Sequence, residues 1–277
     1  RLVKGRLPAA VARQLVHEGL NRREGGVDRD HVGVHSDSSG PTVVFVPGFM
    51  QPAEAWREVA RRLPQRYPSV LLDHREHERE GRLAEIAAAA GKVGGPAVLC
   101  GYSLGGRLAL HAAVRDPDRY AGLVVLGSSA GIAEPTARAA RAEADEKLAA
   151  WMETQPIEEI VAIWERQPLF ADQTDKLVEA QRPGRLDQDP RSLALLLRTA
   201  GQGTMEPIWG RLATLDIPIL ALAGARDERY RRASRKIAAE APNGYAAVVE
   251  HAGHAAHLQR PDDFADALVA FLDDRLS

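Results

Sequence analysis

The chain has 277 residues, 45 % of them hydrophobic, which is enough apolar material for one large α/β domain with an insertion, or for two domains. With 36 basic and 38 acidic side chains, no global field draws it to nucleic acid or to an anionic membrane surface. A single cysteine, Cys100, excludes an internal disulfide and a cysteine metal cluster, and no apolar run reaches membrane-spanning length.

Residues 1–40 read as an N-terminal extension. Within them, Pro8 to Leu20 fits a short amphipathic helix with Val11, Leu15, Val16 and Leu20 on one side, and His31 to His35 fits a short edge strand. His17, His31 and His35 read as surface residues. Residues 1–30 lack a signal-peptide apolar region, so a cytoplasmic protein is the expectation. Thr42 to Val46 is a buried strand by composition, followed by Pro47-Gly48-Phe49-Met50. Glu54 to Leu63 then reads as a helix and Ser69 to Asp73 as the next strand. His74 to Glu80, with two His and three Glu, lacks a completing ligand at metal-site spacing and reads as a solvated charged loop. No metal and no cofactor are expected. Arg82 to Lys92 is an alanine-rich helix.

The apolar run Ala97 to Cys100 meets Gly101-Tyr102-Ser103-Leu104-Gly105, and a helical pattern follows from Arg107 to Val114. Strand, sharp turn and helix form the context of a nucleophile elbow. Gly101 and Gly105 keep side chains out of the turn, Ser103 is pushed into strained geometry, and the Leu104 N–H opens the helix, aimed at developing negative charge. The plain alternative is a glycine-rich βα turn. Cys100, on the strand, reads as a small apolar filler.

Gly122 to Gly127 is another strand, and from Ser128 to about Gly210 the alternation of strand and helix stops. Pro135 to Met152, Ile157 to Glu165, Asp172 to Gln181 and Ser192 to Ala200 all read as helices. A helical cap over 131–210 is therefore expected between two parts of a core, 41–130 and 211–277. The sheet resumes at Ile217 to Ala223, then come a helix from Arg229 to Glu240, a strand from Tyr245 to Glu250 and a closing helix from Pro261 to Leu276. This alternation predicts an α/β fold with a mostly parallel central sheet covered by helices on both faces.

A serine hydroxyl is a weak nucleophile until a base takes its proton, and that base must be oriented by a carboxylate. After Ser103, Asp227 stands just past the strand Ile217 to Ala223, and His254 just past the strand Tyr245 to Glu250. All three lie beyond the carboxyl ends of predicted parallel strands, where open α/β sheets place their sites. Glu228 is a rival for Asp227, and helix N-capping is an alternative use of either; His251 and His257 are rivals for His254.

From Val43 onward, the elbow and the two later motifs resemble the α/β-hydrolase superfamily. That resemblance implies a second oxyanion donor in the loop after the first strand; Pro47 has no N–H, so the Phe49 N–H is the candidate beside that of Leu104. A narrower resemblance rests on Gly101 to Leu110, Ala140-Arg141, Ile163 to Phe170, Gly203 to Trp209 and Gly224 to Tyr230. These stretches are similar to the 2-succinyl-6-hydroxy-2,4-cyclohexadiene-1-carboxylate synthase family of menaquinone biosynthesis. The resemblance implies elimination of pyruvate from 2-succinyl-5-enolpyruvyl-6-hydroxy-3-cyclohexene-1-carboxylate, with Ser103, Asp227 and His254 catalytic and Phe49 and Leu104 binding the enolate oxygen. It further implies a small carboxylate substrate held by Arg107, Arg141 and Arg185, with Tyr102 and Trp164 lining the pocket. Fork-shaped cations suit a tricarboxylate, and all but five of the basic residues are arginine. The chain departs from the family at Pro47-Gly48, where the family has His-Gly, and at His74 to His77, where it has Gly-His-Gly. Two other functions fit parts of the pattern: a serine hydrolase of carboxylic esters or carbon–carbon bonds, and a non-catalytic binding protein on a hydrolase fold.

Overall fold

A computed structural model describes residues 40–276. The expected helix Pro8 to Leu20 and strand His31 to His35 lie outside the described residues, as does all of the N-terminal extension except Gly40.

Six parallel strands form one sheet in the order β2-β1-β3-β4-β5-β6. They are β1 (Val43–Val46), β2 (Ser69–Leu71), β3 (Ala97–Tyr102), β4 (Tyr120–Leu126), β5 (Ile219–Gly224) and β6 (Gly244–Val249). In the centre, Phe45 pairs with Cys100, Cys100 with Val124, and Leu126 with Leu222. Every residue of β1, β3 and β5 is buried, because helices cover both faces and a parallel strand then reads as a continuous apolar run. Side chains still alternate. Val44, Val46, Leu99 and Leu123 join one core cluster, and Val43, Phe45, Val98 and Val124 join the other, on the opposite face.

The helices are α1 (Arg57–Ala60), α2 (Arg79–Gly91), α3 (Leu104–Arg115), α4 (Pro135–Met152), α5 (Ile157–Glu165), α6 (Asp175–Leu186), α7 (Pro190–Ala200), α8 (Glu228–Glu240), α9 (Ala256–Gln259) and α10 (Pro261–Arg275). Leu108 of α3, Ile86 of α2 and Ile237 of α8 pack on the first face, and Trp56 with Phe264, Leu268 and Leu272 of α10 on the second. Four helices, α4 to α7, stand between β4 and β5. They hold a third cluster in which Met152, Ile160, Leu193 and Leu197 pack with Met50 from the loop after β1. No helix among the described residues is long and apolar enough to cross a membrane.

Several element ends differ from the sequence expectation, each for a local reason. Residues 54–63 form a 3-10 turn, Ala53–Trp56, and only one turn of α-helix. β5 starts two residues late because Pro218 has no N–H, although its carbonyl still accepts from Leu123 N. α6 starts later than Asp172, at a Thr174 cap, and runs through Pro183 to Leu186. The stretch His74 to Glu80 is not wholly solvated. The His74 side chain is 3 % exposed and its Nδ1 lies 2.7 Å from Glu85, while α2 already begins at Arg79.

His257 is fully buried between the rings of Trp56 and Tyr102, at 4.3 and 4.5 Å between centroids, and neither ring nitrogen has a hydrogen-bond partner. Burial, aided by the neighbouring His254, pushes its pKa down to about 3. The unfolded chain, with an ordinary value of about 6.5, binds a proton that the folded chain refuses, so stability falls as pH drops below that value. For His257 alone the loss at pH 5 is about 2 kcal/mol. Thermal unfolding of wild type should show a lower Tm at pH 5 than at pH 7, and His257→Phe, which keeps a ring in the slot, should lose distinctly less over the same interval.

Candidate active site

The strand β3 ends and the helix α3 starts at Ser103, whose φ of 50° and ψ of −109° lie outside the usual regions for a side chain with Cβ. Such a conformation costs of order 1–3 kcal/mol and persists only when the surroundings over-determine it. Here they do. Ser103 N donates to Leu126 O at 2.9 Å, and its carbonyl accepts from Arg107 N at 3.1 Å and from Ser128 Oγ at 3.0 Å. A Cβ on Gly105 would run into the carbonyl oxygens of Val46 and Pro47, and one on Gly106 would stand 2.7 Å from Ser128 Cβ. Glycine is therefore required by the close approach of α3 to β1 and β4.

His254 Nδ1–H donates to Asp227 Oδ2 at 2.6 Å, since a carboxylate can only accept, and Nε2 faces Ser103 Oγ at 3.2 Å. The side chains of His254 and Asp227 are 1 % and 6 % exposed. Asp227 also caps α8, its Oδ1 accepting from Tyr230 N at 3.3 Å, so the two uses of this residue coexist. Glu228 is exposed and pairs with Arg231 at 3.0 Å; His251 is exposed; His257 is the buried ring described above. The His254 ring is walled by Tyr230 at 4.7 Å and Tyr102 at 5.1 Å between centroids. Burial drives the Tyr102 phenol well above its ordinary pKa, so it is a neutral wall at working pH.

A cavity opens over Ser103 and His254, with Phe49 and Tyr102 from the core side and Trp164, Phe170 and Arg185 from the helical layer. Phe49 packs on Trp164 at 5.2 Å. Leu104 stands in the first turn of α3, where backbone N–H groups lack intrahelical partners. The Gly48 N–H is taken by Gln51 Oε1 at 3.3 Å.

Arg107 and Arg141, expected at the substrate, do not line this cavity. Arg107 is 7 % exposed, donates from Nη2 to Ala200 O at 3.2 Å, and has a buried Nε without a partner among the described residues. Desolvation first, and then the charges of Arg141 and Arg229, lower its pKa to about 10, which still leaves it a cation at neutral pH. Arg141 pairs with the buried Asp145 at 2.7 Å and, together with Arg229, donates to Gln202 Oε1. Gln202 Nε2 in turn donates to Tyr230 OH at 2.8 Å. These arginines form a cationic layer beside His254 rather than a wall of the cavity.

Sequence reasoning missed Gln51, Leu169, Phe170 and Gln173 on the cavity wall. Pro168-Leu169-Phe170, a short 3-10 turn after α5, carries an apolar signal that could have marked two of them. The amides carry none, because a glutamine in a loop reads as solvated. Glu165 was missed as well. Its side chain is 5 % exposed and binds Arg185 Nη1 at 2.9 Å and Arg182 at 2.5 Å.

The alpha/beta hydrolase family matches residues 43–267. The chain is 30% identical over 244 residues to the 2-succinyl-6-hydroxy-2,4-cyclohexadiene-1-carboxylate synthase of Klebsiella pneumoniae (strain 342), a match covering 82% of this chain and 92% of that protein. It is 28% identical over 247 residues to the synthase of that name from Serratia proteamaculans (strain 568), covering 85% and 94%. Among solved structures, MenH from S. aureus superposes with a TM-score of 0.79 at 25% identity, over 87% of this chain and 95% of that one.

Arg185 is 4 % exposed in its side chain, and Glu165 compensates its buried charge at 2.9 Å. Breaking a buried pair leaves an uncompensated charge and costs about 3 kcal/mol or more. Glu165→Gln should accordingly lower the unfolding free energy by about 3 kcal/mol in urea, whereas loss of the exposed pair Lys147–Glu143 by Glu143→Gln should leave it unchanged within experimental error.

Proposed function

The chain belongs to the alpha/beta hydrolase family, and we propose that it is an enzyme of menaquinone biosynthesis. In this reading it eliminates pyruvate from 2-succinyl-5-enolpyruvyl-6-hydroxy-3-cyclohexene-1-carboxylate, using Ser103, His254 and Asp227 as a catalytic triad under a cap formed by α4 to α7. The observation that carries the reading is a serine hydroxyl in line with a carboxylate-held imidazole, in a cavity that also presents a guanidinium. The relatives of that name support the choice of reaction.

The chemistry follows from the arrangement. His254 Nε2 draws the proton of Ser103 Oγ, and Asp227 stabilises the resulting imidazolium. Ser103 oxygen then removes the ring proton next to the succinyl ketone. The freed electron pair passes into the ring, the ring double bond shifts by one position, and the carbon–oxygen bond to the enolpyruvyl group breaks. The leaving group departs as the enolate of pyruvate and is protonated, which returns the proton and closes the balance. In the transition state the ketone oxygen becomes an enolate, and the N–H groups of Leu104 and Phe49 are its donors. Arg185 binds a substrate carboxylate, and the layer of Arg107, Arg141 and Arg229 adds positive potential behind the wall. Trp164, Phe170 and Phe49 exclude water, which strengthens each of these interactions.

A second reading, hydrolysis of carboxylic esters, is favoured by one observation. Glu165 already neutralises much of the Arg185 charge, and the rest of the wall is largely aromatic. Purified protein offered the enolpyruvyl substrate and, separately, a short p-nitrophenyl ester separates the two. Pyruvate release is the expected outcome, and fast ester turnover without it overturns the proposal.

Ser103→Ala, His254→Ala and Asp227→Asn should each lower kcat by roughly 10³-fold or more, and the double variants should lose little beyond the singles. Near-normal pyruvate release by Ser103→Ala rejects the triad. Arg185→Lys keeps a cation for Glu165 but loses the fork. It should lower kcat/KM on the enolpyruvyl substrate by roughly 30-fold while leaving a neutral p-nitrophenyl ester within about threefold of wild type. Equal losses on both substrates reject the carboxylate role.

A further inference from the structure

Gln173 lies on the cavity wall with both ends of its amide, Oε1 and Nε2, buried and without a partner among the described residues. The residue as a whole is only half-buried, so the surface it shows to solvent belongs to its stem and main chain. Its backbone is accounted for, since N donates to Phe170 O at 3.0 Å, and the cap of α6 is supplied by Thr174. Nothing in the local fold uses an amide at this position. An amide buried with both ends unmet is a cost that a leucine of similar size would not incur.

We propose that Gln173 is a specificity-determining residue that reads a hydroxyl group next to the carboxylate held by Arg185, so that together they recognise a β-hydroxycarboxylate. The inference rests on the reading of the cavity given above. A carboxylate would satisfy Nε2 but repel Oε1; a hydroxyl accepts from Nε2–H and donates to Oε1, meeting both ends at once. Arg185 spends Nη1 on Glu165, and its remaining N–H groups carry no hydrogen bond among the described residues. A planar cation with free donors suits a carboxylate. The proposed substrate has this pattern, because its ring carboxylate and ring hydroxyl stand on neighbouring carbons.

The test uses two ring probes, 2-hydroxycyclohexane-1-carboxylate, as separate cis and trans isomers, and cyclohexanecarboxylate, with binding measured by calorimetry. Wild type should bind one hydroxylated isomer about tenfold more tightly than the plain ring, and Gln173→Leu should bind the two within about twofold. The ligand-free variant should also gain about 3 °C in Tm, because two unmet polar atoms are gone. A purely structural glutamine would give the opposite sign. No preference in wild type, a preference that survives in Gln173→Leu, or a lower Tm in the variant each overturns the inference. Pyruvate release is scored independently. Wild type that shows the Gln173-dependent preference but releases no pyruvate supports this inference and rejects the reaction; pyruvate release without the preference does the reverse.

Discussion

The structure depends on one crowded junction. At Ser103 the chain turns from a buried strand into a helix within a single residue of positive φ, and the turn is held by backbone bonds from β4 and α3 together with the Ser128 hydroxyl. The strain has a geometric return. It lifts the hydroxyl off the sheet toward His254 and brings the start of α3, with its unpaired N–H groups, beside it. Because α3 lies against β1 so closely that Gly105 touches the Val46 and Pro47 carbonyls, the loop after β1 is fixed relative to the serine as well. One turn therefore sets the positions of the Ser103 hydroxyl and of both loops that carry candidate donors.

Charge is distributed in layers around that junction. The sheet contributes none. Asp227 and His254 pair with each other, and the arginines come from α3, α4, α6 and α8. Among the described residues, Arg141 is paired with Asp145 and Arg185 with Glu165, while Arg107 and Arg229 form no ion pair of their own. A field of that sign favours an anionic guest and an enolate over their neutral forms, and desolvation strengthens it. The arrangement also links the helical layer to the imidazole. Tyr230 packs on His254 and donates its backbone N–H to Asp227; its hydroxyl accepts from Gln202, which accepts from Arg141. Hydrogen bonds and ring packing thus connect α4 to the imidazole.

What the sequence made legible follows from the range of each interaction. Parallel strands announce themselves as apolar runs, and the elbow is a local motif in which spacing and backbone need coincide. Asp227 and His254 stand past strand ends, where topology alone brings them near Ser103. The rest depends on side-chain rotamers and on partners far along the chain. Arg107, one turn after Ser103, shares a helix face with it, but the Ala200 carbonyl at the end of α7 captures its guanidinium, and nothing near residue 107 encodes that partner. Glu165 follows Trp164 in a helix and looks solvated until α6 brings Arg185 and Arg182 to it. In the same pair, Arg185 lies on the stretch of α6 beyond Gln181, where the sequence reading ended the helix. Pro183 removes one backbone donor from α6, yet the helix continues to Leu186 and its last turn carries the Arg185–Glu165 pair.

The unmet polar atoms have a distribution of their own. Among the described residues, both Gln173 amide atoms lie on the cavity wall and Arg107 Nε belongs to the guanidinium that the Ala200 carbonyl holds, while Trp56 Nε1 and both His257 nitrogens lie in the core on the second face of the sheet; the main-chain groups of the sheet interior pair along the strands. A folded chain tolerates such atoms only where other contacts over-determine the local structure, and here the apolar cluster of Met152, Ile160, Leu193 and Leu197 does that work a short distance away. At Gln173 the seam between the sheet and the helical layer is left with hydrogen-bonding capacity that the described chain does not use. Of these atoms only the Gln173 amide lies on the cavity wall, where a guest is able to satisfy it without repacking either side. In the recognition proposed for Gln173, binding and the satisfaction of its amide are the same event, and the group that weakens the empty protein is the one that discriminates among guests.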